Sequence, residues 1–162
     1  MEPLQILGLQ ITLSFLLYGM IARWYLAPRL AAMPWPEALQ PLLFLHASRY
    51  VGMVFLLPEV TRNVLPTGFS LPAAYGDLIT SVLAFATLFA VRARSRAAIP
   101  LAWLTNVVGA VDLLNAYYQG ISRQPDLGAA YYIPSFVVPA LLVTHAQMFA
   151  MLARRGGVTA RA

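Results

Sequence analysis

Apolar residues form five long runs, and the short stretches between the runs hold most of the charged residues. The runs cover residues 4–22, 41–58, 70–91, 98–118 and 131–153. A helix that crosses a bilayer needs about 20 mostly apolar residues, so each run is long enough to cross. The pattern predicts an all-α integral membrane bundle of five transmembrane helices, built as a single transmembrane domain over residues 1–162.

The composition is typical of a chain surrounded by lipid. Hydrophobic residues make up 60% of the sequence and charged residues 10%, whereas about a quarter of the residues in a soluble domain are charged. The net charge of +5 comes from arginines near the ends of the runs. They form no basic stripe interleaved with aromatic residues, so nucleic acid is not an expected partner. The lipid bilayer is the expected partner, and association into a homo-oligomer is left open.

The positions of the arginines predict an orientation. Five spans place eight arginines on one side of the membrane: Arg23, Arg29, Arg92, Arg94, Arg96, Arg154, Arg155 and Arg161. The other side holds only Arg62 and Arg123. Arginine-rich loops stay in the cytoplasm. We therefore expect the N-terminus outside, the C-terminus in the cytoplasm, and a multi-pass protein of the bacterial inner membrane. The first residues, MEPLQ, lack the positive charge of a signal peptide, which favours a first span over a cleaved leader.

Polar side chains inside the runs are the candidate ligand-binding residues: Arg49, Asp77, Asn106, Asp112, Asn115, His46 and His145. The predicted orientation assigns each a depth. The two aspartates and Asn115 form an outer layer. The two histidines, Asn106 and Gln147 form an inner layer, and Arg49 lies between the layers.

An ionised side chain at the centre of a bilayer costs about 2.5–3.5 kcal/mol on insertion scales, so it needs a partner. We therefore expect Arg49 to pair with Asp77 and Asp112. One arginine cannot neutralise two aspartates. The excess carboxylate must hold a proton, meet a cation or be hydrated. The alternative interpretation is an internal Arg–Asp bridge that only fixes helix packing.

No cofactor is expected, although the two histidines leave haem or a divalent metal open. His46 and His145 lie at similar depths on different spans, as two haem ligands or half of a His/Asp metal site would. The alternative is two neutral histidines that are hydrogen-bonded to the backbone or to Asn106 and Gln147. The sequence has no cysteine and no lysine, which excludes thiolate and Schiff-base chemistry. No catalytic motif is present, so catalytic residues are unknown.

Two prolines, Pro134 and Pro139, interrupt the last run. Pro139 has no N–H, so it should bend the helix and free a backbone carbonyl near Ser135. We expect this carbonyl to face the outer polar layer.

Several segments resemble a group of small uncharacterised bacterial membrane proteins. The likeness lies in SRYVGMVFLLP, LPTGFSLPAAYGDLITSVLA, NVVGAVDLLNA and IPSFVVPALLVTH, and it covers roughly residues 46–148. A fainter likeness to DoxX-like membrane proteins covers residues 48–90. The resemblance implies no activity. It implies only that the following residues occupy motif positions of the group: Arg49, Gly52, Gly76, Asp77, Asn106, Asp112, Pro139 and His145.

Three functions remain in view. The first is the binding or translocation of a small polar or cationic ligand, or of protons, in a buried pocket of arginine, aspartate and histidine. The second is a membrane-embedded haem or metal protein with redox or hydrolytic chemistry. The third is a structural subunit of a membrane complex, in which the polar residues serve only packing.

Overall fold

The computed structural model of the protein describes residues 2–159, with side chains described as far as Arg154. Every element in this range is helical, and no strand occurs in it, which confirms the predicted all-α class. Arg161 lies outside the described residues, as does the side chain of Arg155.

Seven α-helices occur in the described range, and three of the connections between them are 3₁₀- or π-helical. The α-helices are α1 (Pro3–Ile21), α2 (Ala27–Ala31), α3 (Trp35–Ala47), α4 (Pro58–Thr61), α5 (Thr67–Arg92), α6 (Ala98–Arg123) and α7 (Val138–Thr159). Four continuous helical segments are long and apolar enough to cross a membrane: Pro3–Ala31, Thr67–Arg92, Ala98–Arg123 and Gly128–Arg154. The chain is therefore a helical membrane protein.

The predicted second span, 41–58, is displaced toward the N-terminus and changes helix type. Helix α3 starts at Trp35, and a 3₁₀-helix continues it over Ser48–Leu56. A proline and an acidic residue in the first turn are typical helix starts, and Pro36 and Glu37 occupy that turn. Pro41, which we expected to open the span, instead lies inside the helix.

Two other helix ends differ from the prediction. The first helix does not end with the predicted run at residue 22, because the π-helical turn Ala22–Leu26 carries it into α2. Helix α6 continues past residue 118 to Arg123 and ends where Gln124 adopts a left-handed conformation with φ of 44°. Both extensions include charged residues, Arg23 and Arg29 in the first and Arg123 in the second, so hydropathy alone placed these helix ends too early.

Helix α5 lies at the centre of the bundle, since it packs against α3, the 3₁₀-helix Ser48–Leu56 and α6. Helix α7 packs against α6 and α1. Helix α1 is peripheral, and Ser14 is its one buried residue. Most of the large apolar side chains of α1 are exposed on its outer face, as expected of a helix that faces lipid.

The bundle has two ends with different chemistry. At the arginine end, residues 34–37 lie beside the turn that follows α5, near Arg92, Arg94 and Arg96. At the opposite end, which we call the cavity end because a cavity opens there, Arg62 lies beside residues 124–128. A separate apolar cluster packs near each end; the first includes Leu39, Leu43 and Met148, and the second Phe55, Phe69 and Leu127. Buried polar side chains occupy the layer between the two clusters.

The start of the last helix is irregular around Pro139. A π-helical turn, Ile133–Val137, precedes α7. Residue 139 would bond the Ser135 carbonyl in α-helical geometry and the Pro134 carbonyl in π-helical geometry, but proline has no N–H. Both carbonyls accept side-chain hydrogen bonds instead, from Ser14 Oγ to Ser135 at 2.8 Å and from Tyr117 Oη to Pro134 at 2.9 Å. The freed carbonyl at Ser135 is thus confirmed, but it faces α1 rather than the carboxylate layer.

Candidate functional site

The 3₁₀-helix Ser48–Leu56 aligns the first components of the site. A 3₁₀-helix has three residues per turn, so residues three apart lie in line along one face. Arg49, Gly52 and Phe55 have this spacing, and they are the buried residues of the segment. The whole stripe faces α5: Arg49 pairs with Asp77, Gly52 lies against the Asp77 carboxylate, and Phe55 packs edge-on against Phe69.

Arg49 joins two carboxylates from different helices. Its Nε donates to Oδ1 of Asp77 on α5 at 2.7 Å, and its Nη2 donates to Oδ2 of Asp112 on α6 at 2.6 Å. The Nη1 atom donates to the backbone carbonyl of Gly109 at 3.0 Å. The Arg49 side chain is only 1% exposed. The predicted pairing of Arg49 with both aspartates is therefore confirmed.

Glycines make room for each carboxylate. A Cβ atom at Gly52 would collide with the Asp77 carboxylate, and one at Gly76 would collide with the Asp112 carboxylate. A Cβ at Gly109 would lie 2.6 Å from the His145 ring, which is also too close. The close approach of the helices at these positions is what lets a short aspartate side chain reach Arg49.

His145 extends the network beyond Arg49. Its Nε2 lies 3.4 Å from Nη1 of Arg49, and its Nδ1 lies 2.6 Å from Oδ1 of Asn106. Arginine can only donate, so Nε2 must carry a lone pair and Nδ1 must carry the proton. The Asn106 amide returns a hydrogen bond to the His145 carbonyl at 3.2 Å. These partners hold His145 as a neutral ring of one tautomer.

His46 stacks on His145, with ring centroids 3.9 Å apart and an angle of 23° between the planes. The Thr144 hydroxyl donates to the Leu141 carbonyl at 2.8 Å, so it can accept from Nε2 of His46, which lies 3.3 Å away. This leaves Nδ1 of His46 as a buried atom without a hydrogen-bond partner among the described residues.

The histidine pair does not fit a haem or a metal ion. Two haem ligands approach iron from opposite faces of the ring system, whereas these rings lie directly against each other. Both nitrogens of His145 already face Arg49 and Asn106. No group of three or more His, Cys, Asp or Glu side chains in the described part of the chain could hold a metal ion. The arrangement matches the alternative of hydrogen-bonded histidines at His145, which pairs with Asn106, whereas His46 contacts Thr144 rather than Gln147.

A cavity of about 510 Å³ leads from the cavity end to the two aspartates. Its mouth carries the polar side chains of Arg62, Gln124 and Asp126. Its walls are mostly apolar and include Leu7, Ile11, Phe55, Phe69, Tyr117 and Val138. Asp77 and Asp112 lie about 15 Å along their helices from the mouth, at a rise of roughly 1.5 Å per residue. They form the floor, where each aspartate side chain is 11% exposed.

The structure brings together six of the seven candidate residues. Asn115 is exposed and makes no hydrogen bond with the network, because the inward face of α6 runs through Gly109 and Leu113 and leaves Asn115 on the other side of Asp112. Gln147 is half-buried and also lies outside the network. Thr144 and the Gly109 carbonyl were not among the predicted site residues, because a neutral hydroxyl and a backbone group leave no distinctive pattern in a sequence.

The chain belongs to the family described as a domain of unknown function (DUF8737), which it matches over residues 6–153. The predicted likeness to an uncharacterised family is confirmed at this level. No curated protein and no solved structure matches the chain. The fainter likeness to DoxX-like proteins stays a prediction.

Proposed function

We propose that this protein binds, or translocates, a small polar or cationic ligand or protons at the floor of the cavity. The observation that carries the proposal is the unequal charge count at Arg49. Two aspartates pair with one guanidinium, and both line a cavity that opens at one end of the bundle. A structural salt bridge needs only one carboxylate per arginine and no access to it.

The geometry of the two carboxylates supports a binding role. Arg49 uses one oxygen of each aspartate. The second oxygens, Oδ2 of Asp77 and Oδ1 of Asp112, lie against Gly52 and Gly76 and have no hydrogen-bond partner among the described residues. Carboxylate oxygens in a low-dielectric site attract a positive charge or a hydrogen-bond donor strongly. The floor of the cavity is therefore set up for such a ligand.

The cavity approaches the floor from one end of the bundle. It reaches the carboxylates from the side of Arg62 and Asp126. The arginine-end cluster packs against the far side of the histidine layer with large buried side chains, including Leu39, Leu43 and Met148. A ligand would thus be exchanged with one side of the membrane, and translocation would require the arginine-end cluster to open.

The proposal includes five spans, with the N-terminus and the cavity mouth outside the bacterial inner membrane. Helix α3 has 13 residues and the 3₁₀-helix Ser48–Leu56 has nine. At about 1.5 and 2.0 Å per residue the two cover roughly 37 Å, which exceeds the 30 Å hydrocarbon core. The arginine end carries Arg92, Arg94 and Arg96, and the positive-inside rule assigns such an end to the cytoplasm.

The test is ligand-dependent thermal unfolding of the purified protein in neutral-lipid nanodiscs. The probes are sodium, methylammonium and a pH series, each compared between wild type and Asp112→Asn. A ligand that binds only the folded state stabilises it by about 2.7 kcal/mol at one hundred times its Kd. We expect at least one probe to stabilise the wild type and to lose most of its effect in Asp112→Asn.

The control is Glu59→Gln, because Glu59 is exposed and does not line the cavity. It removes the same charge without changing the floor, so it should respond like the wild type. Equal responses of wild type and Asp112→Asn to every probe would contradict the proposal.

A packing role is the second candidate, and one observation favours it. Gly52 and Gly76 fit closely around the two aspartates, as expected of a cluster that locks α5 against α6 and the 3₁₀-helix. The absence of any Asp112-dependent stabilisation in the same experiment would favour this role and a structural subunit of a membrane complex.

A further inference from the structure

We infer that the ligand is a monovalent organic cation with an apolar body, whose ammonium-type group meets the aspartates while the body fills the cavity. The inference rests on the proposed function and names its ligand class. It is carried by the size of the cavity, the chemistry of its walls and the charge of its floor.

The cavity is larger than the smallest candidates need. The share of liquid volume taken by one water molecule is about 30 Å³, and a bare inorganic cation or a single proton-carrying water occupies no more than about this. The cavity measures about 510 Å³, which lies within the range of about 300–1,000 Å³ typical of pockets for organic ligands. A site for sodium or protons would not require this space.

The walls match an apolar body. Four α-helices (α1, α5, α6 and α7) and the 3₁₀-helix Ser48–Leu56 contribute apolar wall residues, which include Leu7, Phe55, Phe69, Tyr117 and Val138. Burial of apolar surface stabilises a complex by about 25 cal/mol per Å², so an inorganic ion would leave this surface unused. The charged groups of the cavity are confined to its two ends, Arg62 and Asp126 at the mouth and Asp77 and Asp112 at the floor, which suits a molecule with a single charged end.

The floor matches one positive charge. Two carboxylates and the single guanidinium of Arg49 leave one negative charge when both aspartates are ionised. Asp77 is 7% exposed as a residue and lines the cavity, and its Oδ2 atom has no partner among the described residues. N–H donors satisfy such an oxygen directly. A divalent ion such as calcium would need six to eight oxygen ligands, more than this floor supplies.

Isothermal titration of the full-length protein in phosphatidylcholine nanodiscs tests the inference. The probes are 4-phenylbutylammonium, methylammonium, sodium and the neutral 4-phenylbutanol. We expect 4-phenylbutylammonium to bind at least tenfold more tightly than any other probe, because only this probe uses both the floor and the walls. Tenfold corresponds to 1.4 kcal/mol.

Two variants measure the contributions of the floor and of the walls to binding separately. Asp112→Asn removes the excess charge, and Ala116→Phe fills part of the cavity from α6, since Ala116 lines it. Each should weaken 4-phenylbutylammonium at least tenfold. The matched controls are Glu59→Gln, an exposed carboxylate outside the cavity, and Val111→Phe, an enlarged side chain on the 60%-exposed outer face of α6. Both controls should bind 4-phenylbutylammonium like the wild type. If Asp112→Asn fails to fold, Ala116→Phe still tests whether the ligand occupies the cavity.

The outcomes distinguish the inference from the proposed function. If sodium or methylammonium binds as tightly as 4-phenylbutylammonium and depends on Asp112, the inference is wrong and the proposed function stands. If 4-phenylbutanol binds as tightly as the ammonium and ignores Asp112→Asn, both are wrong. If no probe depends on Asp112 or on Ala116, both are wrong as well.

Discussion

The guanidinium of Arg49 and the ring of His145 lie 3.4 Å apart, and this contact connects the carboxylate floor to the histidine layer. Arg49 contacts Asp77, Asp112 and His145 at the same time, so elements from four parts of the chain meet at one side chain. A change at the floor that moves Arg49 must therefore alter the environment of His145. The protonation of His145 can be measured, so it reports on changes at the two aspartates that form the floor of the cavity.

The first prediction concerns the tautomer of His145. Because Nε2 faces an obligate donor, ¹⁵N solid-state NMR should show a neutral ring with its proton on Nδ1. In Asn106→Leu the Nδ1 proton has no acceptor, so the folded state should lose about 1–3 kcal/mol and the Nδ1 signal should shift. Gln147→Leu is the control, because Gln147 lies outside the network. A ring protonated on Nε2 would contradict the prediction.

The second prediction concerns Arg49. Arg49→Ala leaves two buried carboxylates without their partner, so we expect a loss of roughly 3–5 kcal/mol in the free energy of unfolding. Arg49→Met combined with Asp77→Asn and Asp112→Asn should recover much of this loss, since no charge then remains in the layer. Denaturant unfolding in detergent micelles measures both. Arg96→Ala is the control because Arg96 is exposed, and a neutral Arg49→Ala would show that Arg49 is hydrated rather than paired.

The third prediction uses the glycines that surround the carboxylates. Gly52→Ala and Gly76→Ala should each destabilise by about 1–3 kcal/mol, the usual effect of overpacking, because the new methyl group collides with Asp77 or Asp112. Gly8→Ala and Gly19→Ala are matched controls, since no atom lies within 4 Å of the added Cβ. The controls should be neutral or stabilising by up to about 1 kcal/mol in a helix. Equal effects at all four positions would contradict the close fit.

The fourth prediction concerns orientation. Reporter fusions placed after Arg62 and Arg123 should read outside, and fusions after Arg96 and Arg155 should read inside. A cytoplasmic signal at Arg123 would reverse the side on which the cavity opens. The fusion after Arg62 also tests whether the segment from Trp35 to Leu56 crosses the membrane, because a four-span chain would place Arg62 and Arg96 differently.

Much of the fold follows from hydropathy, because burial in lipid forces the backbone into helices. The pairing of Arg49 with Asp77 and Asp112 was also predictable, since isolated charges are too costly in a bilayer to remain unpaired. Helix ends were less predictable. A hydropathy pattern does not reveal helix starts such as Pro36 and Glu37, or a helix that continues past an arginine, as the first helix does at Arg23.

Two features of the site could not be derived from ideal α-helical spacing. The 3₁₀-helix Ser48–Leu56 places Phe55 in line with Arg49, an alignment that 100° steps do not give. Asn106 points away from Asp112 on α6, yet it joins the same network because the long side chain of Arg49 and the ring of His145 bridge the gap. The reverse occurs at Asn115, which was predicted to lie in the same outer layer as Asp112 but is exposed. Long side chains make connections that a helical projection omits.

The last prediction tests how the chain satisfies the carbonyl that Pro139 leaves free. Ser14 Oγ donates to the Ser135 carbonyl at 2.8 Å, and this bond joins the peripheral helix α1 to the start of α7. Side-chain hydrogen bonds between membrane helices contribute about 0.6 kcal/mol on average and up to about 1.7 kcal/mol. Ser14→Ala should therefore destabilise the protein by an amount in this range.

In a Pro139→Ala background, residue 139 regains an N–H that can bond Ser135 within the helix, so Ser14→Ala should then have almost no effect. The double-mutant cycle isolates this coupling, because each single change acts on the same carbonyl. Thr12→Val is the control, since Thr12 Oγ1 is exposed and donates to Gly8 of its own helix; its effect should be independent of residue 139. An unchanged cost of Ser14→Ala in the Pro139→Ala background would show that Ser14 acts through packing alone.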